Sequence, residues 1–166
     1  MKNTTFTRTA VMLFTVLAVS AALAQSDAQK SFDKLKTLVG SWQGKSADGK
    51  PVQISFRDTA GGTALMSEIT AGEEDMISMI HLDGDRLLLT HYCPAGNQPR
   101  MKASLSPDGK TIMFDFVDAT NLSSPEAGHM HHAVFTFGDA DHHSEEWDWM
   151  DHGKGMREVF ELQRAK

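Results

Sequence analysis

Five of the eight histidines lie in one short run, "GHMHHAVFTFGDADHH" (128–143), and a sixth, His152, follows nine residues later. Imidazole with carboxylate suits zinc or copper(II), and thioether neighbours such as Met130 and Met150 would favour copper(I). A second stretch, "HYCPAGNQPR" (91–100), sets Cys93 two residues from His91. A nearby imidazole can lower a thiol pKa and make a nucleophile. No acid that would orient that imidazole is evident, so the constellation is incomplete, and a small half-buried thiol is the alternative. In the same stretch His91, Asn97, Gln98 and Arg100 could orient a bound molecule, or could simply hydrogen-bond the loop to itself. A third stretch, "SEEWDWMDHG" (144–153), puts Trp147 and Trp149 on one face of a strand, with Glu146, Asp148 and Met150 on the other. Paired carboxylates are the tools of glycoside hydrolysis. A strand with one solvated acidic face is the better account of them.

Which of these groups can meet depends on the elements that carry them. Ser26 with Gln29 three residues later reads as a capping box, and Phe32, Leu35, Leu38 and Val39 follow at helical spacing, ended by Gly40. After this helix everything reads as strand and turn. "SADGK", "LDGDR" and "SPDGK" each place Asp-Gly between strand-like runs, a strong hairpin signal. Period-two alternation, as in Val52, Ile54 and Phe56 against Gln53, Ser55 and Arg57, predicts ten strands. They fall at about 42–46, 51–57, 63–70, 75–82, 85–92, 101–106, 110–118, 131–137, 143–151 and 155–163. Strands joined by tight turns form an antiparallel meander, and ten of them curl into a barrel that hides its edges.

A meander alternates its connections between two ends. With the start of the first strand as the bottom, His81, His142 and His143 fall at the bottom. His91, His129, His131, His132 and His152 fall at the top. The strand between His132 and Gly138 separates the two groups by roughly 20 Å, too far for one metal ion. Pairing 131–137 with 143–151 would bring His129, His131, Asp151 and His152 together at the top mouth as a zinc or copper site. Solvated loop histidines are the simpler alternative. On the last strand Met156, Phe160 and Leu162 share a face with Glu158; if that face is interior, Glu158 is a buried carboxylate, with Arg100 its expected partner. Most of the eight methionines beyond residue 24 are expected as core filler, which also suits an adaptable apolar cavity.

The first 24 residues read as a leader. Lys2 and Arg8 precede the apolar "AVMLFTVLAV", and "ALA" (22–24) is a cleavage signal, so a chain from Gln25 onward is expected to be exported, periplasmic or secreted. No cysteine follows the cut, so no lipid anchor is expected. Residues 25–166 then form a single domain. Of 16 Lys and Arg, two lie in the leader, which leaves 14 against 22 Asp and Glu and a net charge of −8. Nucleic acid and anionic membrane surfaces want a basic face, so neither is expected as a partner. Cys93 is alone, so no internal disulfide can form.

"LVGSWQG" (38–44) carries G-x-W at the start of the first strand after a short helix, and in this it resembles lipocalins and other calycins. With "MIHLDGDRLLLTHYCPAGNQPRM" (79–101), the chain from about Phe32 to Arg164 is similar to bacterial exported lipocalin-like domains of uncharacterised function. The resemblance implies an all-β up-and-down barrel with one short N-terminal helix. It also implies that an arginine of the last strand stacks on the G-x-W tryptophan; strand order brings Arg164 beside Trp42, with Arg157 the substitute one turn away. A more distant resemblance is to nitrobindin, a ten-stranded haem barrel, and implies an axial histidine such as His91. The expected role is binding of a small, largely apolar ligand inside the barrel, with a zinc- or copper-binding protein and a haem barrel as alternatives, and no enzyme activity is indicated.

Overall fold

A computed structural model describes residues 25–166; the leader and its "ALA" signal lie outside the described residues. Helix α1 (Asp27–Lys36) begins where the Ser26 hydroxyl accepts the Gln29 amide at 3.2 Å. Asp27 in its first turn and Lys34 and Lys36 in its last complement the helix dipole. Its buried side chains Phe32 and Leu35, with Leu38 just beyond, pack on the lower end of the barrel.

The strands follow in meander order: β1 (Gly40–Lys45), β2 (Pro51–Thr59), β3 (Ala64–Ala71), β4 (Glu74–Asp83) and β5 (Arg86–Tyr92). Then come β6 (Gln98–Leu105), β7 (Thr111–Thr120), β8 (His129–Phe137), β9 (His142–Asp151) and β10 (Lys154–Arg164). Each pairs antiparallel with its neighbours, and β1 pairs with β10, so the sheet closes without an edge. At that seam Trp42 faces Arg164 and Gly44 faces Leu162. A Cβ on Gly44 would stand 2.0 Å from the Glu161 carbonyl oxygen, so only glycine lets the two strands approach this closely.

β6 starts three residues before its predicted position. Pro99 lies within the added stretch and pairs only with β7, because the β5–β6 ladder begins at Thr90 opposite Arg100. A strand paired on one side tolerates a residue with no N–H. The lower interior is filled by Ile54, Phe56, Leu65, Ile80, Leu89, Ile112, Phe114 and Phe135, all buried. Beneath them Trp42 donates its indole N–H to the Leu38 carbonyl at 2.6 Å, so helix and first strand close the bottom together.

Candidate functional site

The upper barrel is hollow. A cavity of about 730 Å³ opens among the top loops, walled by Val52, Ile69, Met76, Met130, Trp147, Trp149 and Phe160. Asp48, Lys50, Glu73, Glu74 and Glu158 stand around its rim, all exposed. Lys50 is held by Asp48 at 2.7 Å, which raises the ammonium pKa, helped by the nearby charges of Glu158 and Glu74.

His91 lies on the cavity wall and is fully buried. Its Nδ1 is 2.9 Å from the Ser78 hydroxyl, and its ring lies 4.9 Å from that of Trp147. Among the described residues its Nε2 has no hydrogen-bond partner. Burial pushes the imidazole pKa down to about 4, so the ring is neutral at pH 7. The folded pKa lies below the unfolded value of about 6.5, so the unfolded chain takes up the proton first. Stability from this group is therefore complete above about pH 6.5 and drains away as pH falls toward 4, by about 3 kcal/mol in all. Urea unfolding of wild type and His91→Phe across that range should show a stability difference that shifts by this amount in favour of the variant at low pH. Parallel pH curves would contradict the burial of a neutral His91.

Below the cavity, β9 turns a second polar group inward. Glu145 is fully buried, accepts the Trp147 indole N–H at 2.9 Å, and is hydrogen-bonded to His143 Nε2 at 3.1 Å. The His143 ring meets Trp42 edge-on at 4.2 Å, and the Arg164 guanidinium lies 4.2 Å from the Trp42 ring. A continuous column thus runs from His91 on the cavity wall through Trp147, Glu145 and His143 to Trp42 at the bottom. Sequence reasoning passed over Glu145, although it shares the period-two face of Trp147 and Trp149.

The mouth histidines do not converge as expected. His129 is buried against Phe116, its Nδ1 2.7 Å from the Ala127 carbonyl and its Nε2 3.1 Å from His131 Nδ1. A β-bulge between Met130 and His132 shifts the β8–β9 register, so His129 faces Met150 rather than Asp151. His152 sits in the exposed turn at φ 45° and is hydrogen-bonded to Asp151 at 2.7 Å. His132 is bonded to Asp115 instead. Among the described residues no three His, Cys, Asp or Glu side chains are placed to hold one metal ion.

Arg100 also departs from expectation. It lies on the outer face, gripping Asp118 through two bonds of 2.5 and 2.6 Å, and Glu158 is exposed at the rim rather than buried. Gln98 donates to the Gly96 carbonyl of its own loop and accepts from Thr120 at the end of β7. Asn97 is buried and donates to the Gly128 carbonyl at 2.8 Å; a Cβ on Gly128 would stand 2.4 Å from the Trp149 ring. Asn97 thereby pins the β7–β8 loop against a cavity tryptophan without lining the cavity itself. Glu146 and Asp148 are outward and both paired with Arg157. Cys93 borders the cavity near His91, but burial pushes its thiol pKa up, opposite to what a nucleophile needs.

Among solved structures, the chain is similar to the crystal structure of a protein of unknown function from the DUF3598 family of Nostoc punctiforme PCC 73102. The TM-score is 0.54 at 12% identity, over 79% of this chain and 49% of that one. The likeness is one of fold. This chain spans about half the length of that protein. No protein-family profile and no curated protein matches the sequence.

Proposed function

We propose that this protein is an exported carrier of a small, largely apolar molecule, held in the upper barrel and admitted through the top mouth. The observation that carries the reading is the cavity of about 730 Å³ in the upper barrel, with a largely apolar wall that includes Val52, Ile69, Trp147 and Phe160. Binding sites for small molecules have this size and this makeup: mostly apolar, with a few polar groups to fix orientation. Helix α1 and Trp42 block the other end, which supports entry from the top alone. Export rests on the leader, and sequencing the mature protein should find an N-terminus at or near Gln25. Retention of Met1 would refute it.

A haem reading finds its imidazole in His91. It does not find cations for two propionates, because the one lysine of the rim is already paired with Asp48 among four carboxylates. The residues do not fit that group. Native mass spectrometry of untagged protein tests the carrier reading: the expected species is the mature chain plus one organic molecule. Bare chain that also fails to bind a neutral apolar dye would overturn it.

A further inference from the structure

Resting on the carrier reading, we propose that the ligand is a neutral fused-ring aromatic, lying flat between the indole of Trp149 and the thioether of Met76. The cavity has two unlike sides. Trp147 and Trp149 on β9 with Phe160 on β10 form an aromatic wall, whereas Val52, Ile69 and Met76 on β2, β3 and β4 form an aliphatic one. In the closed order of strands β4 stands five places from β9 in either direction, so the two walls face each other across the barrel. Ten strands about 4.8 Å apart and tilted about 40° make a barrel roughly 20 Å across at its backbone, and an indole and a thioether reaching in from opposite walls leave roughly 7 Å between them. That is the space of one flat ring with a van der Waals contact of about 3.5 Å on each face.

Both indoles are held by contacts that do not involve the cavity. Trp147 donates to buried Glu145 at 2.9 Å and packs on the rings of His91 and Phe135, with centroids 4.9 and 5.9 Å away. Trp149 lies against Gly128, where a Cβ would stand 2.4 Å from the ring, and Asn97 holds the Gly128 carbonyl at 2.8 Å. Gly128 has no left-handed φ, so its missing side chain makes room for the indole rather than for a turn. A ring fixed in this way has its orientation before a ligand arrives, which lowers the ordering cost of binding. Met76 supplies the adaptable side, because a thioether is unbranched, polarizable and attracted to aromatic rings. The charged residues that border the cavity are all exposed at its rim, so the body of a ligand between the walls meets no charge, and burying one there would be costly.

Two alcohols with one carbon skeleton separate a flat aromatic site from a merely apolar one: 2-naphthol and its saturated, puckered analogue decahydro-2-naphthol. Each is titrated against bound N-phenyl-1-naphthylamine, a neutral dye. Burial of apolar surface alone favours the saturated compound, which is the more hydrophobic of the two. The slot should reverse that order, with 2-naphthol displacing the dye at concentrations about tenfold lower. In Trp149→Leu, with thermal unfolding checked for an intact fold, the ratio should fall to about one. Each ratio is internal to one protein, so a general loss of dye affinity cancels. Met76→Leu keeps the apolar volume, carries the same test should Trp149→Leu not fold, and should lower the ratio about threefold. Equal or better displacement by the saturated alcohol, a ratio unchanged by these substitutions, or dye binding that 2-naphthol cannot displace would overturn the planar ligand while leaving the cavity reading intact. Failure of the dye and both alcohols to bind would overturn both.

Discussion

Trp42→Ala is expected to cost about 3–5 kcal/mol in urea unfolding, the range for truncating a fully buried aromatic. The side chain is 1% exposed, donates to Leu38, and packs between the Arg164 guanidinium and the edge of His143. Its loss would leave a void where the helix, the first strand and the last strand meet. Arg164→Ala should cost less, about 1–3 kcal/mol. That side chain stacks on Trp42 and also donates to the carbonyls of Thr37, Val39 and Ala140, so it ties the helix exit and the β8–β9 turn to the seam. Arg164→Lys keeps the charge but not the planar fork, and should recover only part of the loss. A Trp42→Ala cost below about 1 kcal/mol would contradict the closed bottom.

Glu145→Ala should be about as damaging, about 3–5 kcal/mol, because it leaves two buried groups without partners, the Trp147 N–H and His143 Nε2. Glu145→Gln retains an acceptor for the indole and should cost about 1 kcal/mol. The two variants also report on the cavity. With Glu145 gone, Trp147 loses the bond that fixes its ring on the cavity wall, so near-ultraviolet circular dichroism should lose intensity and dye affinity should drop. The glutamine variant should keep most of both. If Glu145→Ala and Glu145→Gln behaved alike in both stability and spectrum, the hydrogen bonds around Glu145 would not be what holds Trp147.

The barrel was legible in the sequence because its signals are local and repeated. Asp-Gly turns mark three hairpins, and alternation marks the strands between them. Ten such strands have few stable arrangements other than closure, and the observed order closes β1 on β10. The side chains around the cavity were harder to place, for identifiable reasons. A one-residue bulge at His131 reorders everything beyond it on β8, and hairpin arithmetic that assumes a regular ladder brings Asp151 opposite His129. A second irregularity, between Arg100 and Met101, interrupts the β6–β7 register beside the residue expected to face Glu158. Glu145 was readable from the same alternation that sets Trp147 and Trp149 on one face, but the run of acids around it disguised a buried carboxylate as part of a solvated surface. Asn97 stood out as a polar residue of the β5–β6 loop, but nothing local marks its partner: its role depends on Gly128, 31 residues away, lying flat against Trp149.

The most direct test of a ligand cavity in the upper barrel is a titration of N-phenyl-1-naphthylamine into the wild type and into Ala71→Phe. Ala71 lines the cavity and is half-buried against the core, so a phenyl ring there occupies space that a ligand would need. The expected result is saturable one-to-one binding to the wild type, with quenching of tryptophan emission. Binding to Ala71→Phe should be at least about tenfold weaker at unchanged thermal stability, a loss of about 1.4 kcal/mol. Equal binding to both proteins, or a signal that never saturates, would place the dye outside the barrel and contradict the cavity as the binding site.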